Sequence, residues 1–417
     1  MHILFVHQNF PAQFGHIAAH LVEKERFRCT FASQQPPGIT AGVERIQYRV
    51  KSGATAQTHY CSRTFENAIW HAHAVFDALK SRKDIQPDLI VGHSGFTSTL
   101  FLRELYDCPM INYFEFFYRT KDSDMDFRSD FPTEEITRLR AYARNALLLT
   151  DLENGNAAYS PTEYQKSLMP KIFHDKIRVI FDGIDTTIWK PVENRSRRIG
   201  TREIPSGTKI VSYVSRGFES MRGFDLFMKV AKRICDERND VVFVVVGEDR
   251  VCYGGDEKFT GGKTFKEWVL SQDNYDLDRI LFTGRIPPTQ LVDLFSLSDL
   301  HIYLTVPFVL SWSLMNALSC GTTVLASNTA PVREMIAHEQ NGLLVDFFDV
   351  DGFVTQAHKV LDDSTAFRPL GEAGIAMIRE KYSLDVCLPK ILEFYREVTN
   401  SSPDSNSSQP KSESEAY

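Results

Sequence analysis

Residues 209–246 read KIVSYVSRGFESMRGFDLFMKVAKRICDERNDVVFVVV, and this stretch decides the fold. It begins and ends with short runs of β-branched and aliphatic residues, which have the length and composition of buried strands. Between these runs Phe224, Phe227, Val230 and Ala231 recur at helical spacing and share one face. A buried strand, a helix and a second buried strand in this order predict a βαβ unit with a parallel sheet.

The same alternation extends in both directions along the chain. Further strands are predicted at residues 3–6, 89–91, 110–113, 146–149, 280–283, 301–304 and 323–326. We therefore predict an α/β protein with two doubly wound, Rossmann-like lobes. The predicted divisions are an N-terminal lobe at 1–186, a linker at 187–206, a C-terminal lobe at 207–378, a terminal helix at 379–400 and a disordered tail at 401–417.

Composition narrows the classes of partner. The length of 417 residues suits two domains, and the net charge of −7 provides no global field that attracts nucleic acid. An anionic ligand must then be held by a local group of arginines or lysines. The seven cysteines are scattered singly, and no apolar run reaches 18 residues, so we expect a cytoplasmic protein without a metal site. The sequence leaves peripheral membrane contact and oligomeric state open.

The loop after the first strand of the opening stretch holds two cations, Arg216 and Arg222, directly before a helix. A turn from a strand into a helix presents free backbone N–H groups and the positive end of the helix dipole. Two arginines at such a turn predict a site for phosphate or diphosphate at the carboxyl edge of the sheet. By themselves, two arginines six residues apart also fit solvated surface charges.

A second informative stretch, residues 303–327, reads YLTVPFVLSWSLMNALSCGTTVLAS and predicts a strand, a helix and another strand. Trp312, Asn316 and Ser319 form a polar stripe on an otherwise apolar helix, so Asn316 is expected to face a ligand or to bridge backbone groups within the lobe. The amides at the start of this helix are a second candidate for phosphate binding.

Four motifs resemble one enzyme family. They are HQNFPAQF at 7–14, YFEFFY at 113–118, RGFESMRGF at 216–224 and FVLSWS at 308–313. In this order they resemble the retaining family 4 glycosyltransferases of the GT-B fold, and in particular a bacterial branch of that family. The resemblance spans residues 1 to about 398 and implies two lobes facing a central cleft, with the last helix crossing back to the first lobe.

The resemblance also implies roles for particular residues. Arg216 and Arg222 would neutralise the diphosphate of a nucleotide sugar as the glycosidic bond breaks, without a metal ion or other cofactor. The rest of the implied donor site consists of Gly284, Arg285, Ile286, Leu310, Ser311, Trp312 and Asn316. In the first lobe the implied catalytic or sugar-orienting residues are His93 and Glu115, and the implied acceptor residues are Gln13, Phe14 and Gly15. A satisfied core histidine and a solvated carboxylate are the structural alternatives for His93 and Glu115.

One position departs from the family pattern. Many members carry two glutamates with seven residues between them, and alignment through Cys320 and Gly321 places these positions at Phe308 and Asn316. An amide oxygen still accepts a hydrogen bond from a ribose hydroxyl, but the loss of charge costs about 1 kcal/mol. We therefore expect a hexosyltransferase acting on a glycan, lipid-linked or small-molecule acceptor. The alternatives are a nucleotide-binding partner subunit without catalysis and, less well supported, a nucleotide-sugar epimerase.

Overall fold

The computed structural model describes residues 1–193 and 196–401. The chain forms two compact units. Unit 1 contains residues 1–118, 139–181 and the part of the chain from Leu388, whereas unit 2 contains residues 119–138 and 182–387. Each unit is built around one sheet that is wholly or largely parallel, as the two runs of alternating strands and helices predict.

Unit 1 has an eight-stranded sheet in the order β3-β4-β2-β1-β5-β6-β7-β8. Its strands are β1 (His2–Val6), β2 (Arg28–Ser33), β3 (Gly38–Thr40), β4 (Val43–Gln47), β5 (Leu89–Ser94), β6 (Met110–Phe114), β7 (Ala157–Ser160) and β8 (Ile177–Val179). All neighbours are parallel except β3 and β4. The helices that begin in this unit are α1 (Gly15–Glu23), α2 (Arg63–Lys80) and α5 (Glu163–Ser167).

Two more helices lie in or next to the segment 119–138, which interrupts unit 1 along the chain. They are α3 (Asp124–Phe127), which belongs to unit 2, and α4 (Glu135–Asn154), which begins in unit 2 and continues in unit 1. The prediction of a strand at 146–149 is wrong, because these residues lie in α4. Within this run Leu147 and Leu148 are buried, whereas Ala146 and Leu149 are exposed. A short apolar run does not by itself distinguish such a helix from a buried strand.

Unit 2 has a six-stranded parallel sheet in the order β13-β12-β11-β14-β15-β16, together with a separate hairpin. Its strands are β9 (Arg198–Ile199), β10 (Arg202–Glu203), β11 (Lys209–Gly217), β12 (Val241–Glu248), β13 (Ile280–Gly284), β14 (Leu300–Tyr303), β15 (Val324–Ser327) and β16 (Leu343–Val345). Its helices are α6 (Phe224–Glu237), α7 (Phe265–Leu270), α8 (Pro288–Leu297), α9 (Trp312–Ser319), α10 (Ala330–Arg333), α11 (Val350–Asp362) and α12 (Arg368–Met377).

The predicted linker and the predicted terminal helix are both structured. Within residues 187–206 the hairpin of β9 and β10 forms, and Ile204 joins a hydrophobic cluster with Ile210 and Val242 of the sheet. The last helix, α13 (Leu384–Asn400), begins in unit 2, and its remainder packs on unit 1 as predicted. There the ring of Tyr395 lies 6.5 Å from that of Phe5.

Two further observations concern the C-terminal residues and the length of the apolar helices. Residues 402–417, most of the predicted disordered tail, lie outside the described residues. Over the ranges 1–193 and 196–401, no helix combines the length and the apolar character needed to span a bilayer.

Candidate active site

Each sheet has one place where the strand order changes direction. In unit 1 it lies between β1 and β5, and in unit 2 it lies between β11 and β14. Loops leave the carboxyl ends of two such strands in opposite directions, which opens a crevice where α/β proteins bind their ligands. Of the predicted catalytic residues, His93 lies near the end of β5 and Arg222 follows β11, so both are beside these crevices.

Arg222 lies in the loop after β11, within a short 3-10 helix at Ser220–Arg222. Its side chain is 5% exposed, and its Nη1 atom donates a hydrogen bond of 2.7 Å to the hydroxyl of Thr305, which follows β14. This bond therefore connects the two loops that border the unit 2 crevice. Among the residues that the structure describes, no carboxylate lies within ion-pair distance of Arg222, which leaves its positive charge available to a ligand.

The backbone conformation of the next residue fixes the position of Arg222. Gly223 adopts the left-handed conformation with φ of 59° and caps the start of α6. A Cβ atom at this position would lie 2.6 Å from the Cβ atom of Leu304, so only glycine allows the loop to approach β14 this closely. The hydroxyl of Tyr213 donates to the carbonyl oxygen of Arg222 at 2.8 Å and fixes the residue from the side of the sheet.

Aromatic rings cover the Arg222 guanidinium. Its central carbon lies 5.3 Å from the ring centroid of Tyr253 and 5.7 Å from that of Phe308. Burial opposes the charge, but the ionisable oxygens of Tyr303 and Glu219 nearby raise the pKa of Arg222 overall. Arg216, in contrast, is exposed at the end of β11, and its interaction with the Tyr253 hydroxyl raises its pKa.

Two buried carboxylates that the sequence analysis did not single out tie the neighbouring loops together. Glu219 is 0% exposed, and its Oε2 atom accepts the amide N–H groups of Cys252 at 2.6 Å and Tyr253 at 2.8 Å. Asp256 accepts the amide and the hydroxyl of Ser220, at 2.7 and 2.6 Å. The glycine-rich loop after β12 is thus anchored to the Arg222 loop at both of these points.

A third support comes from the segment 119–138. Arg128 is 4% exposed and binds Asp225 of α6 through two hydrogen bonds of 3.2 and 2.8 Å. Its Nη1 atom also donates to the carbonyl oxygen of Ser220 at 2.9 Å. Nothing in the sequence signals this contact, because Arg128 and Asp225 are 97 residues apart.

The three amides predicted to bind phosphate lie at the start of α9, and they differ in whether they already have a hydrogen-bond acceptor. Ser311 caps the helix through a bond from the amide of Ser313 to its hydroxyl, and its own amide donates to the hydroxyl of Tyr303 at 2.9 Å. The amides of Leu310 and Trp312 have no acceptor within residues 1–193 and 196–401. These two amides are therefore the better candidates for holding an anion.

Asn316 lies one turn further along α9 and is 5% exposed. Its Oδ1 atom is buried and has no hydrogen-bond partner among the described residues. Since a buried acceptor without a partner costs about 1–3 kcal/mol, a ligand hydroxyl that donates to this oxygen would recover part of that cost.

The third predicted part of the donor site follows β13. Gly284 is exposed, with φ of 69°, and a Cβ atom there would meet no atom within 4 Å. Arg285 is also exposed, whereas Ile286 packs partly against the hydrophobic cluster around Ile210. Of these three residues, Ile286 is therefore the one whose side chain takes part in the packing of the sheet.

In unit 1 the structure brings three predicted residues to one edge of the sheet. His93, at the end of β5, is 1% exposed, and its Nε2 atom lies 4.0 Å from a carboxylate oxygen of Glu115, just after β6. The side-chain amide of Gln13 reaches the other oxygen of Glu115 at 3.5 Å. These residues are far apart in sequence and meet because β1, β5 and β6 end at the same edge.

A further histidine, His7, lies beside them and was part of a quoted motif without a predicted role. Its ring centroid is 5.0 Å from that of His93 across the β1 and β5 crevice. Burial lowers the pKa of His7 to about 4 and that of His93 well below its ordinary value, so both rings are neutral at pH 7. The Nε2 atoms of both rings are buried without a hydrogen-bond partner in the described part of the chain.

The other two predicted acceptor residues hold the loop in place. Phe14 is fully buried, with its ring 6.1 Å from Tyr113 and 6.2 Å from His93. Gly15 begins α1, and a Cβ atom there would lie 2.2 Å from Pro11. The side chain of Phe14 therefore packs in the core beneath the loop. Of the three residues, Gln13 is the one whose side chain reaches Glu115.

Family models match both halves of the chain. The model described as "Glycosyl transferase family 4 group" matches residues 25–189, and the model described as "Glycosyl transferases group 1" matches residues 195–377. The first covers most of unit 1 and the second most of unit 2.

Curated relatives carry glycosyltransferase and synthase names. A D-inositol 3-phosphate glycosyltransferase of Corynebacterium glutamicum is 26% identical over 311 residues, which is 72% of this chain and 69% of the relative. An alpha-maltose-1-phosphate synthase of Mycolicibacterium smegmatis is 23% identical over 238 residues, which is 55% of this chain and 59% of the relative.

Solved structures share the two-lobe architecture. A sucrose-phosphate synthase from Thermosynechococcus elongatus matches with a TM-score of 0.73 and 17% identity, over 95% of this chain and 99% of that one. Anabaena HepE in complex with UDP-glucose matches with a TM-score of 0.68 and 13% identity, over 95% of this chain and all (100%) of that one. With two family models along the sequence, relatives of this kind and this fold, the chain is a GT-B glycosyltransferase of the family 4 type.

Proposed function

We propose that this glycosyltransferase moves a hexosyl group from a nucleotide diphosphate sugar, with retention of anomeric configuration and without a metal ion. The donor binds at the carboxyl edge of unit 2, and a glycan, lipid-linked or small-molecule acceptor binds at the carboxyl edge of unit 1. We further propose that the enzyme belongs to the bacterial branch with the HQNFPxQF, RGxExxRGF and FVLSWS motifs, and that it serves polysaccharide or glycoconjugate synthesis.

The observation that carries this proposal is the buried guanidinium of Arg222 at the unit 2 crevice, which has no carboxylate at ion-pair distance among the described residues. A diphosphate leaving group gains negative charge as the glycosidic bond breaks, and a cation already fixed in a site of low dielectric constant stabilises that charge without reorganisation. Arg216, exposed at the end of the same strand, supplies a second guanidinium. The amides of Leu310 and Trp312 add donors at the start of α9.

The unit 1 crevice supports the recognition of a hydroxyl group. The Nδ1 atom of His93 faces the carbonyl oxygen of Ser94 at 3.0 Å, so in the neutral ring Nδ1 carries the proton and Nε2 is an acceptor. The Nδ1 atom of His7 lies 2.9 Å from the amide nitrogen and 3.1 Å from the carbonyl oxygen of Asn9, so these contacts fit either neutral tautomer. The Nε2 atom of His93 is thus an acceptor for a sugar hydroxyl, and the Nε2 atom of His7 beside it is a second polar atom for the same group.

The first experiment measures the melting temperature with UDP, GDP and ADP, each with magnesium and with EDTA. A specific nucleotide stabilises the native state in proportion to its affinity. We expect one nucleotide to raise the melting temperature equally in magnesium and in EDTA. UDP is tested first, because the HepE structure holds UDP-glucose.

Variants connect this shift to the proposed site. Arg222→Ala should abolish the nucleotide shift and transfer. Arg233→Ala is the matched control, because Arg233 lies exposed on α6 and pairs with Asp351. A normal shift in Arg222→Ala would refute the diphosphate assignment, and a shift that requires magnesium would refute the metal-independent mechanism. The anomeric configuration of the product, measured by NMR, tests retention.

A further inference from the structure

The contacts of the glycine-rich loop after β12 point to a role in the donor site. This loop places Tyr253 on the guanidinium that the proposed function assigns to the diphosphate. The Tyr253 ring is 5.3 Å from Arg222 and 5.3 Å from the ring of Phe308. Tyr253 itself is 40% exposed, so one of its faces remains open to solvent.

The position of Tyr253 is fixed through its backbone. Glu219 is completely buried and holds the amides of Cys252 and Tyr253 with one carboxylate oxygen. Gly217, the last residue of β11, lets the same loop lie against the end of that strand, because a Cβ atom at this position would be only 2.3 Å from the carbonyl oxygen of Arg250. The carboxylate thus sets where the aromatic ring stands relative to the cation.

We propose that Glu219 and Tyr253 are positioning residues for the donor diphosphate. Glu219 holds the loop, and Tyr253 holds the Arg222 guanidinium against its aromatic ring. A cation held against an aromatic face loses less conformational freedom when an anion binds than a mobile arginine side chain does. This proposal rests on the assignment of Arg222 to the diphosphate.

Inorganic pyrophosphate is the probe, because it tests the anion site without requiring the correct base or sugar. We expect Tyr253→Leu to weaken pyrophosphate binding about three- to tenfold, since it removes the aromatic face. Tyr253→Phe retains that face and should bind within about threefold of wild type. Tyr142→Leu is the control, because Tyr142 is 66% exposed in unit 1.

A spectroscopic measurement separates positioning from general destabilisation. In protein labelled with ¹⁵N-arginine, the Arg222 side-chain signal should lose its ring-current shift in Tyr253→Leu and regain it in Tyr253→Phe. Glu219→Gln should move the same signal, because the amides of Cys252 and Tyr253 lose a charged acceptor. If Glu219→Gln fails to fold, the two Tyr253 variants still decide the outcome.

The outcomes distinguish this proposal from the proposed function. Pyrophosphate binding by the wild type, lost in Arg222→Ala but unchanged in Tyr253→Leu, would overturn the positioning role and leave the donor site standing. No pyrophosphate binding by the wild type would overturn both proposals. Weakened binding in Tyr253→Leu, with recovery in Tyr253→Phe, is the expected result.

Discussion

At the scale of single residues, two buried polar side chains of unit 2 differ in whether the protein itself provides their hydrogen-bond partners. Arg222 has Thr305 as a hydrogen-bond acceptor and two aromatic rings as neighbours, whereas the Oδ1 atom of Asn316 has no partner among the described residues. Because native proteins rarely leave buried polar atoms unpaired, such an atom points to a ligand. Asn316 is therefore the sharper test of where the nucleotide lies.

Replacement of Asn316 by glutamate has two expected effects of opposite sign. Without ligand, a carboxylate at a position only 5% exposed should lower the melting temperature of the free protein. With nucleotide, the charged oxygen should accept a ribose hydroxyl more strongly and tighten binding several-fold.

Calorimetric titration and thermal melting measure the two effects separately. Asn316→Gln, which lengthens the side chain without adding charge, is the control. Equal or weaker nucleotide binding by Asn316→Glu would show that the ribose does not lie at this position.

At the scale of elements, a buried histidine in β14 makes the second sheet sensitive to acid. His301 is 0% exposed, and its Nδ1 atom lies 3.0 Å from the hydroxyl of Ser212 on β11. Burial lowers its pKa from 6.5 to about 3. The folded state therefore holds a neutral ring at pH values where the unfolded chain takes up a proton.

The sign of the effect follows from linkage. As the pH falls from 6.5 towards 3, the unfolded state binds the extra proton and the fold loses about 1.4 kcal/mol per pH unit from this residue. His301→Asn should therefore reduce the dependence of unfolding free energy on pH in this window. Denaturant titrations at pH 7, 6 and 5 provide the measurement, with the exposed His338→Asn as the control. Identical slopes for wild type and His301→Asn would contradict the assignment.

At the scale of the whole molecule, the chain order of the two units is not a simple succession. Residues 119–138 interrupt unit 1 in sequence but belong to unit 2, where Arg128 binds Asp225 and the carbonyl oxygen of Ser220. The ring of Phe131 also packs 5.5 Å from that of Phe265. A fragment that starts at residue 182 would lack these contacts, and the carboxylate of Asp225 would lose its buried partner.

Arg128→Met in the full chain isolates this effect. Removal of one partner from a buried ion pair leaves an uncompensated charge and costs about 3–5 kcal/mol. We expect a clear fall in the melting temperature of unit 2 and a partial recovery in the double variant Arg128→Met with Asp225→Asn. Differential scanning calorimetry of the two single variants and the double variant completes the cycle. Purely additive losses would show that the two residues do not interact.

The sequence by itself determined the fold class and the identity of most candidate residues. Buried strands alternating with amphipathic helices have few stable arrangements other than parallel sheets, so the two lobes followed from local pattern. Local pattern also placed Arg222 in the loop after a strand, whereas His93 was implied by the family resemblance and lies within β5, next to its last residue. It was wrong at residues 146–149, because a short apolar run fits a buried strand and a buried helix equally well.

Only the tertiary structure decided which of these residues meet. The sheet edge brings His7 beside His93, and long-range hydrogen bonds tie Glu219 to Tyr253 and Arg128 to Asp225. None of these pairs has a sequence signal, because the strand order, rather than spacing along the chain, sets which loops are neighbours. Burial is also a tertiary property, and it keeps both histidines neutral. Arg222 stays charged because nearby ionisable oxygens outweigh the effect of its burial, and no carboxylate lies at ion-pair distance from it among the described residues.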